Sequence, residues 1–131
     1  MKRVTGIGGI FFKSKDPKAL TDWYASHLGI PLGEHGEVMF QWRGADDPAE
    51  EGITVWAPFP EDTDYFEPTK ASFMVNYRVD DLDALLEALK TEGVEIDPKR
   101  EDLEYGRFAW IIDPEGNRIE LWQPPKGEQT E

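Results

Sequence analysis

The chain contains no cysteine, which excludes disulfides, thiolate metal sites and a cysteine nucleophile. Histidine is nearly as scarce, with His27 and His35 the two present. Basic residues are also few. Against 27 Asp and Glu stand 14 Lys and Arg, a formal net charge of −13. Phosphate binding needs clustered cations, so this balance argues against nucleic acid as a partner. It favours solubility and a cationic ligand, and it fits a generally acidic surface equally well. No apolar run is long enough to cross a bilayer, so no membrane partner is expected. The first 20 residues carry Lys2, Arg3, Lys13 and Lys15 without an apolar core. A signal peptide is therefore not expected, and a cytoplasmic location is. Gly6-Ile7-Gly8-Gly9 lacks the spacing of a dinucleotide fingerprint, and there is no phosphate loop or serine elbow.

What the chain does contain is a copy of itself. Ile53-Thr54-Val55-Trp56-Ala57-Pro58 recurs 66 residues later as Ile119-Glu120-Leu121-Trp122-Gln123-Pro124. Ile10-Phe11-Phe12-Lys13 leads into an Asp16-started helix ending at Gly29, as Val75-Asn76-Tyr77-Arg78 leads into an Asp80-started helix ending at Gly93. Two copies of this length are too few and too long for a solenoid. Two half-domains closing on each other enclose a hollow, and function is expected there. At 131 residues the chain fits one domain that buries roughly two-thirds of its unfolded surface. Its parts are module 1 at residues 4–58, a proline-rich linker at 59–70, module 2 at 71–124 and a polar tail from there to 131.

Local patterns supply the elements. Residues 4–12 read as a strand despite three glycines. Asp16 is a good N-cap followed by proline at the first helical position, and Gly29 is a stop. Residues 38–42 and 53–57 read as strands. In the second copy residues 73–79 alternate, and Leu82, Leu85, Leu86 and Leu89 form a helical stripe. Residues 108–112 and 118–122 are strands joined by the turn Asp113-Pro114-Glu115-Gly116-Asn117. Each half is strand, helix, then two or three strands, an α+β pattern in which the helix covers one sheet face. Alternation places Gly9, Phe11, Thr54, Trp56, Met74, Asn76, Glu120 and Trp122 on the other face, lining the hollow.

With these residues in place the chain resembles the vicinal oxygen chelate superfamily, which includes glyoxalase I, bleomycin-resistance proteins and extradiol dioxygenases. The resemblance covers residues 4–124. It rests on Asp16…Trp23-Tyr24…Leu28-Gly29, on Val79-Asp80-Asp81, and above all on Asp113-Pro114-Glu115-Gly116-Asn117-Arg118-Ile119-Glu120-Leu121. It implies two βαβββ modules forming a curved, partly open mixed sheet around a central cavity. It also implies metal ligands at Gly9, Thr54, Met74 and Glu120, with a possible one-residue slip at the second. Only Glu120 offers a charged oxygen there, so no glyoxalase-type metal and no other cofactor is expected.

The hollow keeps several readings open. Phe11, Trp56 and Trp122 with Thr54, Met74, Asn76 and Glu120 make an apolar lining with sparse polar groups, as in a small-molecule site; the same aromatics also serve as filler. Glu120 needs a partner such as Arg78, Arg107 or Asn76, or a ligand cation, or a raised pKa. It serves either to orient a ligand and act as general base, or is an inherited, solvated remnant. Arg107 is either an anchor for an acidic ligand group or a surface ion-pair member. The loop from Pro58 to Pro68 is a lid, a linker or a dimer contact. The functional expectation is a small-molecule-binding protein taking an aromatic or cationic compound. The alternatives are a lyase or isomerase using Glu120, or an accessory domain with a filled cavity. The resemblance also makes a homodimer possible.

Overall fold

The computed structural model describes residues 3–45 and 47–125. The remainder of the polar tail lies outside them. Asp16 and Asp81 cap the two helices in the same way. Asp16 accepts from the Ala19 N–H at 3.1 Å and Asp81 from the Ala84 N–H at 3.0 Å. The second cap is thus Asp81, not Asp80, and the two caps stand 65 residues apart. That number matters for the site, because the repeated strand motif is offset by 66.

The elements run β1 (Val4–Ser14), α1 (Pro17–Leu28), β2 (Met39–Arg43), β3 (Glu51–Pro60), β4 (Phe73–Val79), α2 (Leu82–Thr91), β5 (Glu95–Leu103), β6 (Gly106–Ile112) and β7 (Arg118–Gln123). They form one open, mixed seven-stranded sheet in the order β2-β3-β1-β4-β7-β6-β5. In each module the first strand pairs in parallel with the last, β1 with β3 and β4 with β7. The modules join where β1 and β4 run antiparallel. The expected α+β duplication is present. Module 1 carries two strands after its helix and module 2 carries three; an isolated bridge between Leu32 and Val38 stands where module 1 would hold the extra one.

The strand β5 was not anticipated from the sequence. Its residues Glu95-Ile96-Asp97-Pro98-Lys99-Arg100-Glu101-Asp102-Leu103 are mostly charged and contain proline. The structure explains this: β5 is the outermost strand, and its pairing with β6 slips between Ile96 and Arg100, around Pro98. Proline and charge are tolerated at such an edge.

Each face of the sheet has its own core. Under the helices, Val79, Leu82, Leu85, Ala109 and Leu121 are buried with Tyr77, Leu86 and Leu89 against them. Burial of each leucine contributes about 1.5–3 kcal/mol. Helix α1 is held more lightly and has no fully buried residue; Trp23 stays 52% exposed. On the opposite face Phe66, Met74, Phe108, Trp110 and Trp122 form a second, aromatic cluster, joined by Phe11, Ile53, Phe59 and Tyr65. Two of its members, Tyr65 and Phe66, come from the linker, and Phe66 is fully buried. No helix among the described residues is long and apolar enough to cross a membrane.

Candidate functional site

Beside the aromatic cluster lies a cavity of about 230 Å³ lined by Gly8, Phe11, Val55, Tyr65, Asn76, Glu101, Leu103, Tyr105, Phe108, Glu120 and Trp122. Most of the lining belongs to module 2. Three features of the local sequence shape it. The glycine run in β1 takes up a register shift between Ile7 and Gly9, which brings bare backbone to the wall. Gly106 has φ +138°, and a Cβ there would overlap Trp122 Nε1 and meet the Gln123 carbonyl at 2.6 Å. With that space free, the Trp122 indole donates to the Tyr105 carbonyl at 2.9 Å and stands as a fixed wall, stacked on Phe108.

Glu120 forms the base of the cavity and is 2% exposed. It lies opposite Asn76 in the β4–β7 register. The Tyr65 hydroxyl donates to both carboxylate oxygens at 3.0 Å, and Asn76 supplies a further hydrogen bond. Burial pushes the Glu120 pKa up to about 7, against the opposing pull of Tyr65, Asn76 and the charge of Arg118; Glu101 adds to the rise. Burial, and then the carboxylate beside it, raise the Tyr65 phenol above its ordinary range. Behind Tyr65 sits Arg118, 5% exposed. Its guanidinium donates to the Tyr65 carbonyl and to Asp97 and lies 4.8 Å from the Trp110 ring centroid. The chain Arg118–Tyr65–Glu120 therefore ties the linker to the last strand. A carboxyl poised this way can take up a proton near neutrality or balance a bound cation.

Of the residues expected from the sequence, Phe11, Asn76, Glu120 and Trp122 line this cavity. Met74 is fully buried in the cluster and is not part of the wall. Thr54 donates to the Ile7 carbonyl at 2.5 Å and accepts from the Trp42 indole, so its hydroxyl is occupied inside the sheet. Trp56 is a correction. It packs on Phe12 and on Tyr24 of α1, the helix-covered side. The register pairs Gly9 with Val55, and Val55 lines the cavity. An offset of 66 would set Trp56 with Trp122, but 65 separates the caps, and one residue of slip turns every side chain to the other face. Arg107 is a second correction. It is exposed and pairs with Asp83 of α2 at 3.0 Å, away from the lining. His27 and His35 are exposed, on α1 and in the loop after it.

Tyr65, Arg118 and Glu101 were missed. Arg118 had a signal, standing two residues before Glu120 and so on the same face. Tyr65 lay in a loop whose aromatics marked it only in general terms, and Glu101 lay in the unrecognised edge strand.

A family model for the Glyoxalase/Bleomycin resistance protein/Dioxygenase superfamily matches residues 6–121. The chain belongs to this superfamily. Solved structures agree in fold. Methylmalonyl-CoA epimerase from Mycobacterium tuberculosis is 21% identical with a TM-score of 0.58, covering 93% of this chain and 89% of that one. A variant of the Streptomyces coelicolor methylmalonyl-CoA epimerase, in complex with 2-nitronate-propionyl-CoA, is 18% identical with a TM-score of 0.64, covering 92% and 98%. A Legionella pneumophila protein described as an NAD-dependent benzaldehyde dehydrogenase is 13% identical with a TM-score of 0.57, covering 89% and 98%. These likenesses concern the fold. Curated proteins give no match.

The donors at this site do not fit the metal of the chelating members. Around Glu120 stand one further carboxylate, Glu101, with an amide, a phenol already donating to Glu120, glycine, and aliphatic and aromatic carbon. Among the described residues no three His, Cys, Asp or Glu side chains converge as ligands. A hard divalent ion needs several oxygen or nitrogen donors around an open position.

Proposed function

We propose that this protein binds a small organic molecule, aromatic or cationic, in the cavity above Glu120, and does so without a glyoxalase-type metal centre. The observation that carries this reading is a buried carboxyl at the base of an aromatic-walled cavity open to a ligand of modest size. Such sites combine apolar lining with a few orienting polar groups. The strongly acidic chain adds a field that draws cations. A homodimer and a cytoplasmic location belong to the same proposal, and sedimentation of purified protein tests the first.

The test is tryptophan fluorescence with a compound panel, run beside metal analysis of the purified protein. Quenching by a panel member in metal-free protein supports the reading. Stoichiometric metal held by Glu120, required for binding, overturns it.

A second reading has an observation of its own. A carboxyl whose pKa lies about 7 in an apolar cavity is suited to general-base work, which supports a lyase or isomerase using Glu120. Turnover of a hemithioacetal, or solvent-deuterium exchange next to a carbonyl, would favour it if lost in Glu120→Gln. Panel binding without turnover of either kind would favour the first.

A further inference from the structure

The cavity is polar at two levels, and only the outer one is open to a ligand. At the base the polar groups are turned on one another or covered. Both Glu120 oxygens accept from Tyr65, the Asn76 amide packs against Gly8, and the Trp122 indole donates to the Tyr105 carbonyl. Glu120 and Asn76 are almost wholly buried. Above them the walls are carbon, from Phe11, Val55, Phe108 and Trp122. A ligand that enters therefore meets ring and aliphatic surface, with nothing to hold a polar group taken out of water.

The rim is different. Glu101 lies opposite Phe108 in the β5–β6 register, so its side chain stands on the cavity face of the outermost strand. That side chain is 41% exposed, and its ionic partner among the described residues is Lys99, whose Nζ stands 3.9 Å away. The separation is beyond hydrogen-bond reach. Lys99 is drawn aside over the Trp110 ring, 5.1 Å from its centroid. No lysine or arginine lines the cavity. Leu103 and Tyr105, both exposed, complete the rim at the tip of the β5–β6 hairpin.

We infer that Glu101 selects the ligand at the mouth of the cavity, taking a cationic group there while the ligand's aromatic end fills the carbon-walled interior. This deepens the small-molecule reading and rests on it, joining aromatic and cationic in one amphipathic compound. Polarity runs from carbon inside to carboxylate outside, and such a ligand mirrors it. Turned round, its charge would leave water and find no free acceptor at the base. A cation at the rim keeps part of its hydration, gains an accessible carboxylate and has the exposed Tyr105 ring beside it. An anionic group in the same place is repelled by Glu101, with no cation in the lining to offset it.

The experiment uses the full chain and three probes that share one ring and tether: phenethyltrimethylammonium, 2-phenylethanol and 3-phenylpropionate. Calorimetry and tryptophan quenching compare them on wild type, Glu101→Gln, Lys99→Met and Glu34→Gln. Glu34 is exposed in the loop after α1, outside the lining, and its variant changes the net charge by as much as Glu101→Gln does. Glu101→Gln should weaken the trimethylammonium probe about three- to tenfold, leave the alcohol within about twofold and tighten the carboxylate. Lys99→Met, which relieves Glu101 of its loose partner, should tighten the cation and not the alcohol. Glu34→Gln should move none of the three. Equal losses for the cation in Glu101→Gln and Glu34→Gln, or equal responses of cation and alcohol to Glu101→Gln, overturn the role of Glu101 and leave small-molecule binding standing. Silence from all three probes while other panel compounds quench does the same. If Glu101→Gln fails to fold, Lys99→Met decides, and an unmoved cation affinity overturns the inference. Silence from the whole panel removes both readings.

Discussion

The Tyr65 hydroxyl bridges both oxygens of Glu120 at 3.0 Å, joining residues 55 positions apart in the chain. One comes from the connection between modules and the other from the last strand. The contact opposes the rise that burial imposes on the carboxyl's pKa.

Replacing Glu120 by Gln should change the pH dependence of stability. A folded pKa of about 7 against an ordinary 4.5 means the folded chain binds more protons than the unfolded one between those values. The contribution of Glu120 to stability is therefore best below pH 4.5 and declines as the pH rises through about 7. Glu120→Gln removes that decline. It should gain over wild type with rising pH, reaching about 3 kcal/mol above neutrality. Urea titrations at pH 4.5 and 8 measure the gain, and an equal effect at both would show the carboxyl titrates normally.

Tyr65→Phe deletes the hydroxyl that favours the ionised carboxylate, so the Glu120 midpoint should move upward from about 7. A carbon-13 NMR titration of the carboxyl reads this directly. An unmoved midpoint would mean the hydrogen bond does not form in solution.

Gly106→Ala places a methyl group where the Trp122 indole and the Gln123 carbonyl stand, at a φ of +138°. The cost should be about 1–3 kcal/mol. Trp122 should lose its bond to the Tyr105 carbonyl, seen as a red-shifted emission. Unchanged emission and stability would show that this end of β6 is more yielding than its geometry implies.

Trp122→Phe and Trp56→Phe separate the two sides of the sheet. Ligand quenching should fall with the first and persist with the second, since Trp56 packs on Phe12 and Tyr24. Loss of quenching in Trp56→Phe alone would place the ligand beside α1.

Much of this was legible before any coordinates. Caps and apolar periods act locally, so Asp16, Gly29 and the leucines of α2 declare their helix. The alternation of β4 does the same for its strand. Glu120 was visible because the turn before it has strict chemistry: Asp113 accepts from the N–H groups of Glu115 and Asn117, and Gly116 has φ +83°. Trp56 was misplaced because strand faces depend on parity, and a motif repeat cannot tell 65 from 66. The edge strand β5 hid behind its charges and Pro98. Tyr65 reaches Glu120 only through tertiary packing, with Phe59 stacked against it at 5.5 Å and Arg118 behind, and no short-range pattern records such a meeting.

Because Tyr65 belongs to the tether between the halves, the duplicated molecule has something that two separate half-chains, associating as a pair, would lack. The fusion point itself has become a wall of the pocket. Cutting the polypeptide there would leave Tyr65 on a loose chain end, so its phenol would reach the carboxyl only by paying the entropy of ordering that end, a cost that continuity of the chain reduces.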